Sequence, residues 1–198
     1  MQIRLETKKD YREVENLTRE AFWNVYRPGC VEHYVLHKLR EDKCFIPELD
    51  YVMEADGRIV ANIVYAKAKV DEHPVIIFGP VSVLPAYQGK GYGKKIISYT
   101  LDKARELGYP LVLITGNPDY YKKYGFESAS KHGIFYEGMD KTEECSFFMV
   151  KILDNEKAKP IRGTYADPDV YKVDKKEVEA FDKDFPPKVK EVREGQLE

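Results

Sequence analysis

The sequence has few cysteines, one tryptophan, almost no net charge and no long apolar run. Its 198 residues include three cysteines, and 32 basic side chains against 34 acidic ones leave a formal charge of −2. Three widely spaced cysteines favour free thiols in a reducing compartment over a disulfide framework, so we expect a cytoplasmic protein. Nucleic acid is not an expected partner, because phosphate binding requires clustered, unbalanced Lys and Arg. A membrane is not expected either, since no apolar run approaches the roughly 18 residues of a span and the N-terminus carries no signal-peptide pattern.

Charged residues, in contrast, are abundant and unevenly distributed. Residues 1–153 hold 44 charges, half of each sign, whereas 22 of the 45 residues in 154–198 are charged and carry the whole net charge of −2. We therefore predict one domain over 1–153 and a charged extension over 154–198. Helical spacing of Val178, Phe181 and Phe185 behind a cap-like Asp174 predicts a short helix near 174–185, by which the extension docks on the domain.

The apolar pattern of the first 153 residues predicts a mixed α/β (α+β) domain with about seven strands and about four helices. Strands are predicted at 2–5, 51–55, 58–70, 75–83, 111–115, 134–136 and 146–152, and helices within 7–22, 31–40, 91–107 and 118–124. The strand over 75–83 is nearly all apolar, but Gly79-Pro80 interrupts it. Because glycine packs no side chain and proline donates no ladder hydrogen bond, we expect a bend or bulge there.

A glycine-rich turn joins that strand to the strongest predicted helix. Gly89, Gly91 and Gly93 stand at alternate positions just where the helix begins. Such a turn directs several backbone N–H groups, reinforced by the helix dipole, at one point, and an anionic phosphate suits that geometry.

Two common phosphate loops do not fit this turn. A Walker loop requires Gly and Ser or Thr at the places that Gln88 and Lys95 occupy. A dinucleotide fingerprint requires its last Gly where Lys94 or Ile96 stands.

Two segments together resemble the GNAT superfamily of N-acetyltransferases. Gln88-x-x-Gly91-x-Gly93, after a V-x-V-x-P strand, resembles the coenzyme A pyrophosphate loop of that superfamily. The string from Asn117 to Phe126 resembles its second cofactor segment, an aromatic-Tyr-x-Lys/Arg-x-Gly-Phe pattern. The resemblance covers residues 1–153. The Gly-Asn-Pro-Asp-Tyr-Tyr segment and the Phe-Asp-Lys-Asp-Phe-Pro-Pro-Lys ending further resemble its YhbS-like branch.

This resemblance implies a mainly antiparallel sheet that splays at a cleft for acetyl-CoA as cosubstrate, with no metal. The backbone of Val81 and Val83 would pair with pantetheine, and the Val83 N–H would meet the oxyanion. Tyr121 would lie near the thioester sulfur, as proton donor or as positioner, and Asn117 would contact the pantetheine arm. The catalytic residues implied are thus Tyr121 and Val83. The implied cofactor-binding residues are Val81, Ser82, Val83, Gln88, Gly89, Lys90, Gly91, Tyr92, Gly93, Lys94, Asn117 and Tyr121.

Several alternatives stay open at the level of individual residues. Asn117 is equally suited to a plain helix cap, and Tyr121 to packing in an aromatic segment. The strand before the loop carries no Glu or His to act as general base, so Glu20, Glu54 and Glu137 are candidates through water. A zinc site is not expected, because one loose set of possible ligands lacks C-x-x-C spacing. That set is Cys30, His33, His37 and Cys44.

The resemblance therefore implies transfer of an acetyl group to a primary amine of a small molecule, a lysine or a polypeptide N-terminus. The transfer would be direct, in a ternary complex. The alternative is an acyl-CoA-binding sensor that has lost transferase activity, which the missing strand carboxylate favours. A homodimer is possible.

Overall fold

The computed structural model describes residues 1–196, and within them nine strands form a single sheet flanked by helices on both faces. The strands are β1 (Gln2–Leu5), β2 (Tyr51–Ala55), β3 (Arg58–Val70), β4 (His73–Val83), β5 (Leu111–Thr115), β6 (Glu127–Ser128), β7 (Ile134–Tyr136), β8 (Phe148–Ile152) and β9 (Gly163–Tyr165). The helices are α1 (Tyr11–Phe22), α2 (Glu32–Leu39), α3 (Tyr92–Glu106), α4 (Pro118–Tyr121), α5 (Asn155–Ala158) and α6 (Lys175–Asp182).

The sheet is mainly antiparallel, as predicted. Its order is β1-β2-β3-β4-β5-β8-β6, and β9 pairs with both β3 and β7. The parallel pairs among the described residues are β4 with β5 and β7 with β9. Apolar residues of α1 and α2 pack on one face of the sheet, and those of α3 pack on the other. The mixed α/β fold class is therefore confirmed, and β6 and β9 are additional to the seven predicted strands.

Two predicted helices start or end differently in the structure. The first begins at Tyr11, because residues 8–10 form a turn in which the Asp10 carboxylate accepts the Thr7 N–H at 2.8 Å. The helix predicted over 118–124 is α4 followed by a 3₁₀ turn, and it ends at Gly125 in the left-handed conformation (φ +78°). Glycine ends a helix in this way because it has no Cβ to clash at positive φ.

A bulge divides β4 into two halves, as the Gly79-Pro80 pair predicts. On β3, Tyr65 faces Phe78 and Ile63 faces Val81, so Gly79 and Pro80 stand together opposite one residue. An extra residue reverses which side chains face each side of the sheet. Ile76 and Phe78 accordingly pack in the α3-side core before the bulge, and Val81 and Val83 pack against that core after it.

The sheet opens between β4 and β5 at the same level. These strands pair only through Ile76 with Val112 and Ile77 with Leu113. β5 nevertheless continues to pair with β8 as far as Thr115. Beyond the bulge, β4 therefore has β3 on one side and an open cleft on the other.

Residues 154–196 run along the α1–α2 face. β9 joins β7 and the end of β3, and α6 begins at an Asp174 side chain that accepts the N–H groups of Lys176 and Glu177. Asp182 at the end of α6 pairs with Arg19 of α1, with 2.6 Å between Oδ1 and Nε. The Trp23 indole donates to the carbonyl of Val189 at 2.8 Å. The extension is thus fastened to the first helix and to the segment that follows it.

Candidate active site

The outer half of β4 directs alternate backbone groups into the cleft. The Leu84 N–H donates to the Val60 carbonyl on β3 at 2.9 Å. In an antiparallel ladder, residues alternate between pointing both backbone groups at the partner and pointing both away. Ser82 therefore faces β3 like Leu84, whereas Val81 and Val83 direct their N–H and C=O groups to the open side.

The backbone carbonyl and the backbone N–H of Val83 differ in whether they are free to bind a ligand. The Gln88 side-chain amide donates to the Val83 carbonyl at 3.0 Å, so that acceptor is occupied by the chain itself. The Val83 N–H points into the cleft beside it. Ser82 lies between the two valines, but its hydroxyl donates to Thr18 Oγ1 on α1 at 3.0 Å and is buried. Ser82 thus offers the cleft no side-chain group in this arrangement.

The glycine turn leads directly into the N-terminus of α3. Gly89 and Gly91 have φ of +72° and +84°, and Gly91 is the N-cap residue. A Cβ on either would meet nothing within 4 Å, so these positions need glycine for their backbone conformation and the space above them is open. Within the part of the chain that the structure describes, no side chain caps this helix start. Its first N–H groups are therefore available to an anion.

The lysines of this turn differ in what they contact. Lys90 Nζ donates to the carbonyl of Ala86 at 2.8 Å and so closes its own loop. Lys94 is exposed on the first turn of α3, where its charge adds to the positive potential. Tyr92 packs edge-on against Tyr87, with 5.4 Å between the ring centroids.

The two predicted cofactor segments meet at the start of α3. A Cβ on Gly93 would lie 2.6 Å from the hydroxyl oxygen of Tyr120, which belongs to α4. A side chain at this position would push the Tyr120 hydroxyl away. Gly93 is therefore the point at which the loop after β4 and the helix after β5 contact each other.

Tyr121 lies between these segments and the core, with 8% of its surface exposed. Its ring packs on Phe78 of β4, with 5.8 Å between centroids, and covers Gly116, where a Cβ would come within 2.7 Å of the ring. Burial, reinforced by neighbouring tyrosines, raises the pKa of Tyr121 far above its ordinary value. The hydroxyl is consequently held in its neutral form.

Asn117 is the N-cap of α4. Its side-chain oxygen accepts the Asp119 N–H at 2.9 Å, which is the helix-cap arrangement that the sequence allowed. A contact with a ligand would use the amide nitrogen of the same side chain.

The carboxylates considered as general bases lie in different surroundings. Glu20 pairs with Lys188 of the extension at 2.8 Å, and Glu54 pairs with Arg4 at 2.6 Å. Glu137 follows β7, and its N–H donates to the Tyr165 carbonyl at 2.8 Å. Both paired carboxylates are thus occupied by a cation.

The possible metal ligands of the sequence are dispersed. Cys30 Sγ lies 3.3 Å from His33 Nδ1, whereas His37 contacts Glu15 at 2.9 Å. Across residues 1–196, no group of three or more His, Cys, Asp or Glu side chains is arranged to hold a metal ion. Over the same residues, no helix has both the length and the apolar character that a membrane crossing requires.

The structure adds contacts that the sequence did not predict. The Gln88 amide on the Val83 carbonyl is one, and the hydroxyl of Tyr171 on the carbonyl of Gly79, at 3.1 Å, is another. Gln88 belongs to a motif that was recognised, but its side-chain partner depends on the bulge. Tyr171 lies in the extension, where no local pattern indicates a functional position.

A splayed, mainly antiparallel sheet with an open strand edge beside a glycine-capped helix start defines the fold of an acetyltransferase. Residues 47–128 match the family model of the acetyltransferase (GNAT) domain. That segment is therefore a GNAT acetyltransferase domain, and the chain as a whole is similar to the N-acetyltransferase YhbS.

Relatives in Escherichia coli are similar over different lengths of the chain. The uncharacterized N-acetyltransferase YhbS of strain K12 is 27% identical over 136 residues, which are 68% of this chain and 78% of YhbS. The uncharacterized N-acetyltransferase YjhQ of strain K12 is 31% identical over 93 residues, which are 45% of this chain. That match spans about half of YjhQ, 51% of its length.

Two solved structures share the fold over most of the chain. The crystal structure of E. coli YhbS in complex with CoA has a TM-score of 0.76 and 24% identity, and the match covers 87% of this chain and 92% of that one. A GNAT family acetyltransferase from Brucella melitensis in complex with acetyl-CoA has a TM-score of 0.68 and 26% identity. That match covers 86% of this chain and 97% of the other.

Proposed function

We propose that the protein transfers an acetyl group from acetyl-CoA to a primary amine. The acceptor would be a small molecule, a lysine or a polypeptide N-terminus, and transfer would be direct, in a ternary complex. The observation that carries this proposal is the open edge of β4, which aims the backbone of Val81 and Val83 into a cleft beside the start of α3. The CoA and acetyl-CoA bound by the two similar structures support it.

The residues of the cleft fit acetyl-CoA, which would supply the acetyl group as a thioester. Val81 and Val83 offer strand-like backbone groups to an extended amide-containing arm such as pantetheine. The uncapped first turn of α3, with open space above Gly89 and Gly91, suits a pyrophosphate. Val81, Val83 and the turn from Gln88 to Lys94 would therefore hold the cofactor along its length.

The remaining chemistry falls to a few groups. Negative charge that develops on the thioester oxygen would be stabilised by the Val83 N–H, a fixed donor inside the cleft. Tyr121, held neutral by burial, would position the departing sulfur and would not protonate it. A lysine-like amine must lose a proton first, which costs about 4.6 kcal/mol at pH 7 for a pKa near 10.4.

The route of that proton is best served by water. Glu20 and Glu54 are occupied by Lys188 and Arg4, so neither is favoured as the base. Glu137 is near Lys172 but forms no ion pair with it among residues 1–196, so it is the candidate of the three that water could connect to the amine.

The proposal is tested by acetyl transfer to a panel of amines. The panel holds polyamines, amino sugars, lysine peptides and peptides with free N-termini, and released CoA thiol is followed with a thiol reagent. Calorimetry with acetyl-CoA and CoA runs in parallel. Thiol release that depends on one amine class supports the proposal, and failure to bind either ligand refutes it. Tight binding with no transfer to any amine favours the acyl-CoA sensor, which the absence of a carboxylate on β4 between His73 and Val83 also favours.

Partners and location remain expectations from the sequence. We expect no nucleic-acid or membrane partner and a cytoplasmic location, and a homodimer is the base-rate expectation for the oligomeric state. Light scattering after size exclusion tests the dimer.

A further inference from the structure

One residue of the extension touches the bulge that opens the sheet. The hydroxyl of Tyr171 donates to the carbonyl of Gly79 at 3.1 Å, across 92 positions of sequence. Tyr171 ends a 3₁₀ turn, Asp169–Tyr171, that packs beside α2. Val170 within this turn is 5% exposed and belongs to the core under α1 and α2. The phenol is thus anchored by the packing of its own turn.

The Gly79 carbonyl is an acceptor that the sheet does not satisfy in the regular way. β3 pairs with Phe78 and with Val81 but has one residue opposite Gly79 and Pro80, and β5 pairs no further than Ile77. A partly buried carbonyl without a donor is costly, so native structures supply one. Tyr171 is the donor here. Burial raises the pKa of its phenol above the ordinary value, which favours the protonated hydroxyl that donates this hydrogen bond.

The bulge determines which backbone groups reach the cleft. Before it, even-numbered Ile76 and Phe78 pack on the α3 side, whereas after it the odd-numbered Val81 and Val83 do. A β4 that lost the bulge would shift by one position and would turn the Val83 N–H toward β3. The position of this N–H in the cleft therefore depends on how firmly the bulge is held.

We propose that Tyr171 is a positioning residue for the acetyl transfer proposed above. Its hydroxyl holds the Gly79 bulge and thereby keeps the Val83 N–H directed at the thioester oxygen. This role rests on the proposed function. The extension would then contribute to the active site, although it lies outside residues 47–128, which match the GNAT family model.

The test replaces one hydroxyl and keeps the ring. In Tyr171→Phe, kcat should fall roughly tenfold or more, because small misplacements of a reacting group are costly. The KM for acetyl-CoA should rise by a smaller factor than kcat falls, since the phosphates bind at α3, which does not need the bulge, and only the pantetheine arm depends on it. The matched control is Tyr165→Phe, which removes another buried hydroxyl of the extension, one that donates to Asp167 at 2.9 Å and not to the Gly79 carbonyl. Its kcat should equal that of the wild type.

A binding measurement keeps the inference testable without a known acceptor. If the Val83 N–H contacts the acetyl carbonyl, the wild type should prefer acetyl-CoA to CoA, and Tyr171→Phe should bring that affinity ratio closer to one. Thermal melts of both variants separate loss of folding from loss of positioning. A Tyr171→Phe protein with wild-type kcat and wild-type affinity ratio overturns the inference and leaves the proposed function intact. A wild type that binds neither ligand overturns both.

Discussion

Replacing Asp182 with asparagine should weaken the attachment of the extension to the domain and lower the stability of the protein, because it would leave a buried cation without its partner. Arg19 on α1 has 1% of its side chain exposed, and its Nε and Nη2 lie 2.6 and 3.1 Å from the two oxygens of Asp182. Arg19 also lies 4.2 Å over the Trp23 ring. In Asp182→Asn the guanidinium would keep this aromatic neighbour but lose the opposite charge.

The expected cost follows from the burial of the two partners. Removing one member of a buried ion pair typically costs 3–5 kcal/mol. Asp182 retains 18% exposure, and water admitted there would replace part of the lost interaction, so we expect the lower end, about 3 kcal/mol. For a protein of this size, each kcal/mol lowers the melting temperature by about 2–4 °C. The melting temperature should therefore fall by about 6–12 °C.

Urea unfolding and thermal melts measure this change directly. The control is Asp169→Asn, which removes the partner of Lys172 in the same extension, where the two side chains are 95% and 67% exposed. Its unfolding midpoint should match that of the wild type, because exposed pairs contribute little. Equal midpoints for Asp182→Asn and Asp169→Asn would show that the Arg19 pair does not fasten the extension.

Three further predictions concern pH and the cleft. Burial lowers the pKa of His33 to about 4 from an ordinary value of 6.5, so the unfolded chain binds a proton at a higher pH than the folded protein does. The free energy of unfolding should therefore fall as the pH drops from about 6.5 to 4. Urea unfolding midpoints measured across this range test the prediction, and midpoints that do not change with pH contradict it. In Tyr121→Phe, kcat should fall less than about tenfold, because the buried, neutral phenol would only position the thioester sulfur. A loss of kcat of about a hundredfold or more would instead show that Tyr121 acts as a general acid. Gly93→Ala should raise the KM for acetyl-CoA, since the added methyl group would lie 2.6 Å from the Tyr120 hydroxyl oxygen. The double variant Gly93→Ala/Tyr120→Phe should return the KM to the wild-type value. A Gly93→Ala protein with wild-type KM contradicts the importance of this contact.

The parts of the fold that local patterns determine were predicted well. The hairpin of β2 and β3, with the Asp56-Gly57 turn between them, and the buried strand β5 agree with prediction to the residue. β9 was not predicted, because three residues in a highly charged stretch carry no alternation. They become a strand through distant partners, such as Asp71, whose carboxylate accepts the Thr164 N–H at 3.0 Å. Strand formation of this kind depends on tertiary contacts and not on propensity.

The candidate site was likewise predicted only where consecutive residues determine it. Sequence spacing located the glycine turn and α4, since both are read from consecutive residues. The direction of individual side chains was not readable, because it depends on the bulge. Ser82 was grouped with the cofactor contacts but directs its hydroxyl at Thr18 on α1, and Gln88, expected to act through its N–H, uses its side chain on the Val83 carbonyl. Tyr171 was missed because its partner lies 92 positions away.

The outer half of β4 has no neighbouring strand on its cleft side, and side chains of the protein satisfy only some of its backbone groups. Exposed strand edges readily pair with other chains, so proteins usually cover them. Here Pro80 has no N–H to leave unpaired, Tyr171 satisfies the Gly79 carbonyl, and Gln88 satisfies that of Val83. The groups that the chain does not cover are those that an extended ligand arm would pair with. Because such a ligand binds only the folded state, it would stabilise the fold in proportion to the logarithm of its concentration over Kd. The opening that weakens the sheet is therefore the same feature that links ligand binding to the stability of the protein.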